Sequence, residues 1–228
     1  MVRDLLGNDD AALLALGDHL HIEVRRLLMV AGVPERFADR RLATFDERRG
    51  TSKGVAASGE MVDHLREGLI LSGGPGTGKT HLAVAILAAR LERHLSAYPA
   101  AWWMDDGDAK VHRRPPLEVR FLVVPTFLDM LRSAIRWSDR EDPLPDLYDV
   151  DLLVLDDLGR EKVTDWASER LYVLVNERYN RRRPTIVTTN YTPGELSDRG
   201  YDALVSRLVE GAGIVRIEAP DYRRQVGR

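Results

Sequence analysis

Eight residues between positions 73 and 80 have the types and spacing needed to hold a chain of phosphates. They match the phosphate-loop pattern G-x-x-x-x-G-K-[ST] in full. Glycines allow successive backbone N–H groups to point at a polyanion, and a helix that follows adds its positive N-terminal end. Lys79 is expected to reach the outer phosphates, and the Thr80 hydroxyl is expected to bind Mg²⁺. The predicted nucleotide-binding residues are Gly73, Gly74, Pro75, Gly76, Thr77, Gly78, Lys79, Thr80 and His81.

The residues that flank this loop favour the same interpretation. Gly68–Ser72 has the composition of a short buried strand, and His81–Ala89 that of a helix. A strand, a glycine-rich loop and a helix in this order are the setting that the motif requires. The alternative is a glycine-rich turn that only happens to precede a helix, and the Lys-Thr pair argues against it.

A second motif, the acidic pair Asp156-Asp157, follows the run 151–155, which is predicted to be a buried strand. Asp156 is expected to hold Mg²⁺ through water, together with Thr80, and Asp157 to orient or deprotonate the attacking water. The alternative is an exposed acidic turn after a strand. Glu is more usual at the position of Asp157, and Asp is one methylene shorter, so slow hydrolysis is expected.

Three further residues have side chains that can contact a transferring phosphoryl group. Asn190 follows the predicted strand 185–188 and can bond the γ-phosphate or the attacking water, although the sequence Asn-Tyr-Thr-Pro also favours a simple turn. Arg207 and Arg223 can stabilise phosphoryl charge, within the chain or from a neighbour. Composition alone favours ordinary surface arginines at both positions.

The order of these motifs resembles the DnaC/DnaI/IstB branch of the AAA+ ATPases, over about residues 43–224. The G-K-T-H-L-A run, the D-D-L-G sequence that ends the acidic strand and the terminal D-Y-R are its specific parts. The resemblance implies an ATPase that acts with DNA, either as a helicase loader or as a transposition helper.

The resemblance also implies a role for each motif residue. Lys79 and Thr80 correspond to Walker A, and Asp156 and Asp157 to Walker B. The remaining roles are sensor 1, an arginine finger supplied to the ATP of the next subunit, and sensor 2, for Asn190, Arg207 and Arg223 respectively. The implied partners are a replicative DNA helicase or a transposase, single-stranded DNA, and further copies of the chain in an ATP-dependent oligomer.

Strands that alternate with helices predict an α/β fold with a parallel sheet covered on both faces. With the resemblance, this becomes a P-loop NTPase three-layer sandwich, an AAA+ core without a helical lid. Residues 1–50 are predicted to form a helical extension that includes a helix over 10–31, and residues 51–228 the ATPase domain. A loop at 96–117 is interpreted as an insertion.

The composition of the chain limits the kinds of site and the cellular location that can be expected. The chain has 228 residues, no cysteine and a formal net charge of −3, so disulfides and thiolate metal sites are excluded and a DNA-binding surface must be local. No apolar run approaches the ~20 residues of a membrane span, and no signal pattern is visible, so a cytoplasmic location is expected.

Local basic clusters are the candidates for contact with DNA. One follows the second strand and contains Arg132, Arg136 and Arg140 with Trp137; the other contains Arg178 and the run 181–183. A solvated helix end is the alternative for both. Trp102 and Trp103 can stack on bases or fold back onto the domain. Two other functions stay open: a small-molecule kinase, and an ATP-switched adaptor with little hydrolysis.

Overall fold

The strands of the fold form one parallel sheet. A computed structural model describes residues 10–64, 67–97, 117–136 and 142–223. Within these ranges five strands pair in the order β2-β3-β4-β1-β5, and all of the pairings are parallel. The strands are β1 Gly68–Gly73, β2 Val119–Val123, β3 Leu152–Leu158, β4 Thr185–Thr189 and β5 Ala212–Ile217.

Among the described residues, two α-helices precede β1 and the others lie between successive strands. They are α1 Asp10–Val30, α2 Ser52–Asp63, α3 Lys79–Ser96, α4 Val124–Arg136, α5 Asp165–Asn180, α6 Pro193–Leu196 and α7 Asp202–Gly211. A kinked turn, Ser197–Tyr201, in which Gly200 has a φ of 97°, joins α6 to α7. Short 3-10 turns occupy Glu35–Phe37, Leu42–Thr44 and Pro145–Leu147. Thr164 caps α5 by accepting a hydrogen bond from the Ala167 N–H, as expected of a threonine that precedes a helix.

Two apolar clusters cover the two faces of the sheet. Successive strand residues alternate between them: Leu69 and Leu71 pack with α1, α2 and α3, whereas Ile70 packs with α4, α5 and α7. This alternation is what a strand buried on both faces requires. The predicted three-layer α/β fold is therefore confirmed.

The predicted elements differ from the observed ones mainly at their ends. The N-terminal helix ends at Val30 rather than at residue 31, and β3 extends to Leu158 rather than ending at residue 155. The predicted insertion at 96–117 lies almost wholly outside the described residues. None of the described helices is long and apolar enough to span a bilayer.

The N-terminal helix packs on the same core as the strands. Val24 and Leu28 of α1 are fully buried in the cluster that contains Leu69, and the N–H of Phe121 in β2 donates to the Ala31 carbonyl at 2.8 Å. The division of the chain near residue 50 stays a prediction.

Candidate nucleotide-binding site

The loop between β1 and α3 is held in shape by segments that are distant in sequence. Gly76 and Gly78 have φ angles of 69° and 99°, in the left-handed region that glycine adopts readily. A Cβ at Gly78 would lie 2.6 Å from the Phe45 ring, and one at Gly76 would lie 1.7 Å from Asp221 Oδ1. The two glycines are needed both for the turn and for this close packing.

Lys79 is the first residue of α3, and its ammonium group is directed at three oxygens of the protein. Nζ donates to the carbonyls of Gly73 at 2.8 Å and Gly74 at 2.7 Å, and to Asn190 Oδ1 at 2.9 Å. Burial lowers the pKa of Lys79 to about 8, against the attraction of the Asp157 and Asp156 charges. The structure thus brings Lys79 and Asn190 together, 111 positions apart in sequence.

Asp156 lies beside the start of α3 and accepts two hydroxyl hydrogen bonds. Thr80 Oγ1 donates to Asp156 Oδ1 at 2.9 Å, and Thr188 Oγ1 donates to the same oxygen at 2.6 Å. Burial raises the pKa of the Asp156 carboxyl, while the two hydroxyls lower it. Among the described residues no three acidic or histidine side chains cluster into a metal cage. A hydroxyl and a carboxylate side by side instead suit Mg²⁺, which takes one or two protein oxygens and fills its octahedron with phosphate and water.

A β-bulge lies at the two consecutive aspartates, which line one cleft. Leu155 pairs with Val187 and Leu158 with Thr189, so β3 has one more residue than β4 over this interval. Asp157 has a φ of 61°, and both carboxylates line the same cleft. In a regular strand consecutive side chains would point to opposite faces. A bulge re-aims one of them, and Asp is among the few non-glycine residues that tolerate a positive φ.

Thr188 contacts both aspartates of the candidate site, and the sequence did not indicate it. Its hydroxyl donates to Asp156 and accepts the Asp157 N–H at 3.0 Å, so a single buried atom fixes both aspartates. A threonine in a strand is ordinary on propensity alone. Only its position at a strand's carboxyl edge, two residues before Asn190, could have suggested this role.

Two chain segments, residues 36–48 and 220–223, form the outer wall of the cleft. The Tyr222 N–H donates to the Gly76 carbonyl at 3.1 Å, and the Arg48 guanidinium lies over the Tyr222 ring and donates to the Pro220 carbonyl at 3.1 Å. The cleft has a volume of about 870 Å³, and Arg223 lines it. Phe37, Phe45, Arg48 and Tyr222 were not predicted to belong to the site.

His81 takes part in this wall rather than pointing at the loop. Its Nε2 lies 3.0 Å from the Arg41 carbonyl, and its ring meets the Phe45 ring edge-on with centroids 4.9 Å apart. Burial lowers the pKa of His81. It lines the cleft, and its contacts hold the segment that contains Phe45.

Arg207 lies away from this cleft. It lines a small pocket with Gly68, Thr185 and Ala212, the first residues of β1, β4 and β5. Its Nε donates to Asn176 Oδ1 at 3.2 Å, and its guanidinium faces the Tyr179 ring. Because the phosphate loop follows the other end of β1, a strand of six residues separates the two places by roughly 20 Å.

Most of the described arginines in the basic clusters proposed for DNA contact other residues of the same chain. Arg178 is fully buried and donates to the carbonyls of Leu147, Val150 and Pro184 at 2.6, 2.8 and 2.7 Å; burial lowers its pKa to about 10. Arg178 is therefore a structural residue, and its predicted contact with DNA is wrong.

Other members of these clusters are paired as well. Arg181 pairs with Asp149 and Arg183 with Asp151. Arg132 pairs with Asp129 and lies over the Trp166 ring. The side chains of Arg136, Trp137, Arg140, Trp102 and Trp103 lie outside the described part of the chain.

The sheet order, the phosphate loop at the end of β1 and the acidic pair at the end of β3 define a P-loop nucleotide-binding domain of the AAA+ type. Residues 108–228 match the family described as IstB-like ATP binding protein. This is more than half of the chain, and the chain belongs to that family. The phosphate loop lies outside the matched residues, so its assignment depends on its own sequence and geometry.

Similar proteins occur among replication factors. The crystal structure of the DnaC helicase loader superposes with a TM-score of 0.64 at 25% identity, covering 81% of this chain and 99% of that one. The crystal structure of DnaI gives a TM-score of 0.61 at 20% identity, covering 82% and 93%, which shows the shared fold. The chromosomal replication initiator DnaA of Streptococcus equi subsp. zooepidemicus is 26% identical over 160 residues, 69% of this chain and 31% of DnaA. The chain thus spans about a third of the length of that curated relative.

Proposed function

We propose that the protein is an ATP-hydrolysing helicase loader, which binds ATP and Mg²⁺ in this cleft and acts with a replicative helicase on single-stranded DNA. The observation that carries the proposal is the convergence of Lys79, Asn190, Thr80, Asp156 and Asp157 at the carboxyl ends of β1, β3 and β4. Ligands of parallel α/β sheets bind outside these ends. The ATP-binding family to which the chain belongs supports the choice of nucleotide.

Each residue has a definite task in hydrolysis. Lys79 neutralises charge on the outer phosphates, and Asn190, already within 2.9 Å of the Lys79 ammonium, lies where it can bond the γ-phosphate or the attacking water. Thr80 and Asp156 hold Mg²⁺, which supplies charge neutralisation when bound. Asp157 takes the proton of the attacking water. Its ion pair with Arg160, 3.2 Å long and with the arginine 70% exposed, is weak enough to open.

Arg207 acts on a neighbouring subunit in this proposal. It lies at the opposite end of the sheet from its own phosphate loop and therefore cannot reach its own nucleotide. A side chain in this place is suited to the cleft of a second copy stacked against it. The active unit is then an oligomer in which each cleft receives an arginine from the next chain.

Separate observations support two different partners, a helicase and a transposase. The near-complete coverage of the DnaC loader structure supports a helicase, whereas the family name supports an IstB-like role as helper of a transposase. An ATP-switched adaptor with little hydrolysis is favoured by Asp157, whose carboxylate is shorter than that of Glu and is paired with Arg160.

The test combines turnover with partner capture. We expect ATP hydrolysis by the purified protein, accelerated by single-stranded DNA, to be lost in Lys79→Ala and reduced at least tenfold in Arg207→Ala. Arg93→Ala removes an exposed arginine of α3 and serves as the matched control. Affinity capture from a source cell in ATP and in ADP should retain a helicase only with ATP.

Three results would contradict parts of this proposal. Capture of a transposase assigns the helper role instead. Full activity in Arg207→Ala removes the intersubunit arginine. A single turnover followed by arrest, in a pre-steady-state measurement, identifies the adaptor.

A further inference from the structure

A buried carboxylate, that of Glu161, lies four positions after Asp157 in the chain. Glu161 is only 9% exposed, and its Oε1 accepts the Gly159 N–H at 3.0 Å and also the Tyr201 hydroxyl. Its other oxygen, Oε2, is buried and has no hydrogen-bond partner among the described residues. An unsatisfied carboxylate oxygen in a core is costly, so its retention calls for an explanation.

The same glycine is also held from its other side. Arg199 Nη2 donates to the Gly159 carbonyl at 3.1 Å and stacks on the Tyr191 ring at 4.4 Å. Gly159 has a φ of 88°, and a Cβ there would lie 2.8 Å from both Leu196 and Tyr191. Both peptide groups of Gly159 are thus bound by the kinked turn Ser197–Tyr201, directly through Arg199 or indirectly through Glu161.

This contact joins two places that matter for hydrolysis. On one side, Gly159 lies two residues after Asp157, and the Arg160 N–H closes the turn by donating to the Asp157 carbonyl at 3.2 Å. On the other side, Tyr201 immediately precedes α7, which carries Arg207 about 9 Å further along the helix axis. Tyr201 is 1% exposed, so its position is fixed by packing.

We propose that Glu161 and Tyr201 are positioning residues whose single buried contact orients both Asp157 in its own cleft and the helix that presents Arg207 to the neighbouring cleft. The proposal rests on the proposed function, because it assumes that Arg207 acts in trans. A β-bulge with a left-handed Asp157 is a conformation that its surroundings must impose. The hydrogen bonds of Glu161 and Arg199 to Gly159 supply that constraint.

The first measurement uses variants of the full-length protein that remove single atoms or groups. Tyr201→Phe deletes one hydroxyl and keeps the ring, and Tyr172→Phe, at a half-buried position of α5, is the matched control. We expect kcat to fall about tenfold in Tyr201→Phe, on the order of one hydrogen bond to a charged group, with the KM for ATP within about twofold. Glu161→Gln keeps an oxygen for both donors and should retain more activity than Glu161→Ala.

A purely structural role for the pair predicts a different pattern. It would lower the melting temperature of Tyr201→Phe while leaving kcat per folded molecule unchanged, and it would give Glu161→Gln and Glu161→Ala the same activity. Either finding overturns the positioning of Asp157. ATP affinity measured in parallel confirms that the cleft itself is intact.

The second measurement separates the two ends of the contact by mixing subunits. Lys79→Ala supplies an intact Arg207 but no active site, and Arg207→Ala supplies an active site but no arginine, so their mixture should recover hydrolysis. Adding Tyr201→Phe to the Lys79→Ala subunit should reduce this recovery through Arg207. Adding it to the Arg207→Ala subunit should reduce it through Asp157.

Full recovery in either of the two Tyr201→Phe mixtures overturns the corresponding half of the proposal. If the parent mixture recovers nothing while the unmodified protein hydrolyses ATP, the trans arrangement of the proposed function is wrong, and with it the link to Arg207. The kcat of Tyr201→Phe alone then still decides whether the contact positions Asp157.

Discussion

Replacing Thr188 by Val tests the geometry of the site at one atom. Val has nearly the same shape as Thr but lacks the hydroxyl that donates to Asp156 Oδ1 at 2.6 Å and accepts the Asp157 N–H at 3.0 Å. Thr188 is fully buried, so water cannot easily take the place of the lost group. The substitution leaves the phosphate loop and Lys79 untouched.

The size of the effect follows from the two contacts. A hydrogen bond to a charged group contributes about 1.5–3 kcal/mol, and a buried N–H left without a partner costs about 1–3 kcal/mol. If half of the first term is lost from the transition state, kcat falls on the order of tenfold. Nucleotide affinity without Mg²⁺ should stay within about twofold, because neither contact touches the phosphate-binding groups.

The assay is steady-state ATP hydrolysis across a Mg²⁺ titration, with ATP affinity measured in excess EDTA. Thr188→Ser restores the hydroxyl and should restore most of the rate. Ser58→Ala controls for the loss of a buried hydroxyl elsewhere, since the Ser58 hydroxyl donates to the Gly54 carbonyl within α2. A Thr188→Val protein that hydrolyses ATP at the unmodified rate would refute the argument that this hydroxyl sets both aspartates.

Three further predictions concern groups in or near the cleft. Because burial lowers the pKa of Lys79 to about 8, the free protein loses this charge as pH rises through 8, and ATP affinity by calorimetry should fall roughly tenfold per pH unit above it; Lys79→Arg should bind with little pH dependence, and a flat profile for the unmodified protein would count against the assignment. At the left-handed position 157, Asp157→Asn should bind ATP normally but hydrolyse it at least a hundredfold more slowly, whereas Asp157→Glu should not exceed the unmodified rate; a faster Glu variant would contradict the constraint argued from the bulge. Arg178→Met leaves the carbonyls that Arg178 bonds unpaired and should lower the free energy of unfolding in urea by at least about 3 kcal/mol, against about 0.5 kcal/mol or less for the exposed Arg182→Ala; equal effects would mean that Arg178 is not structural.

The sequence predicts the elements of the sheet because its patterns are local. The burial of β1 and β4 on both faces follows from runs of apolar and β-branched residues, and the phosphate loop is contiguous from Gly73 to Thr80. The chemistry of Lys79, Thr80 and Asp156 is likewise set by residue type next to a strand end. The structure brings these three residues together in one cleft.

The features that sequence analysis missed depend on neighbours in space. The bulge in β3 arises from its register against β4, and no residue within the run 152–158 signals it. The wall formed by Phe45, Arg48 and Tyr222 joins segments that are more than 170 residues apart. The sequence groups Arg178 with a basic cluster suited to DNA, and only the fold shows that it is buried against the carbonyls of Leu147, Val150 and Pro184, which precede β3 and β4.

The close packing around the phosphate loop has a consequence for how the nucleotide is recognised. Gly78 rests against Phe45 and Gly76 against Asp221, so the loop is shaped by its own chain through side chains from the N-terminal and C-terminal segments. Interactions that hold a loop in its binding conformation reduce the ordering cost of binding. The same interactions place Arg48, Tyr222 and Arg223 on the rim of the cleft. A ligand that fills the cleft therefore contacts both chain segments, and we expect displacement of either segment to weaken nucleotide binding.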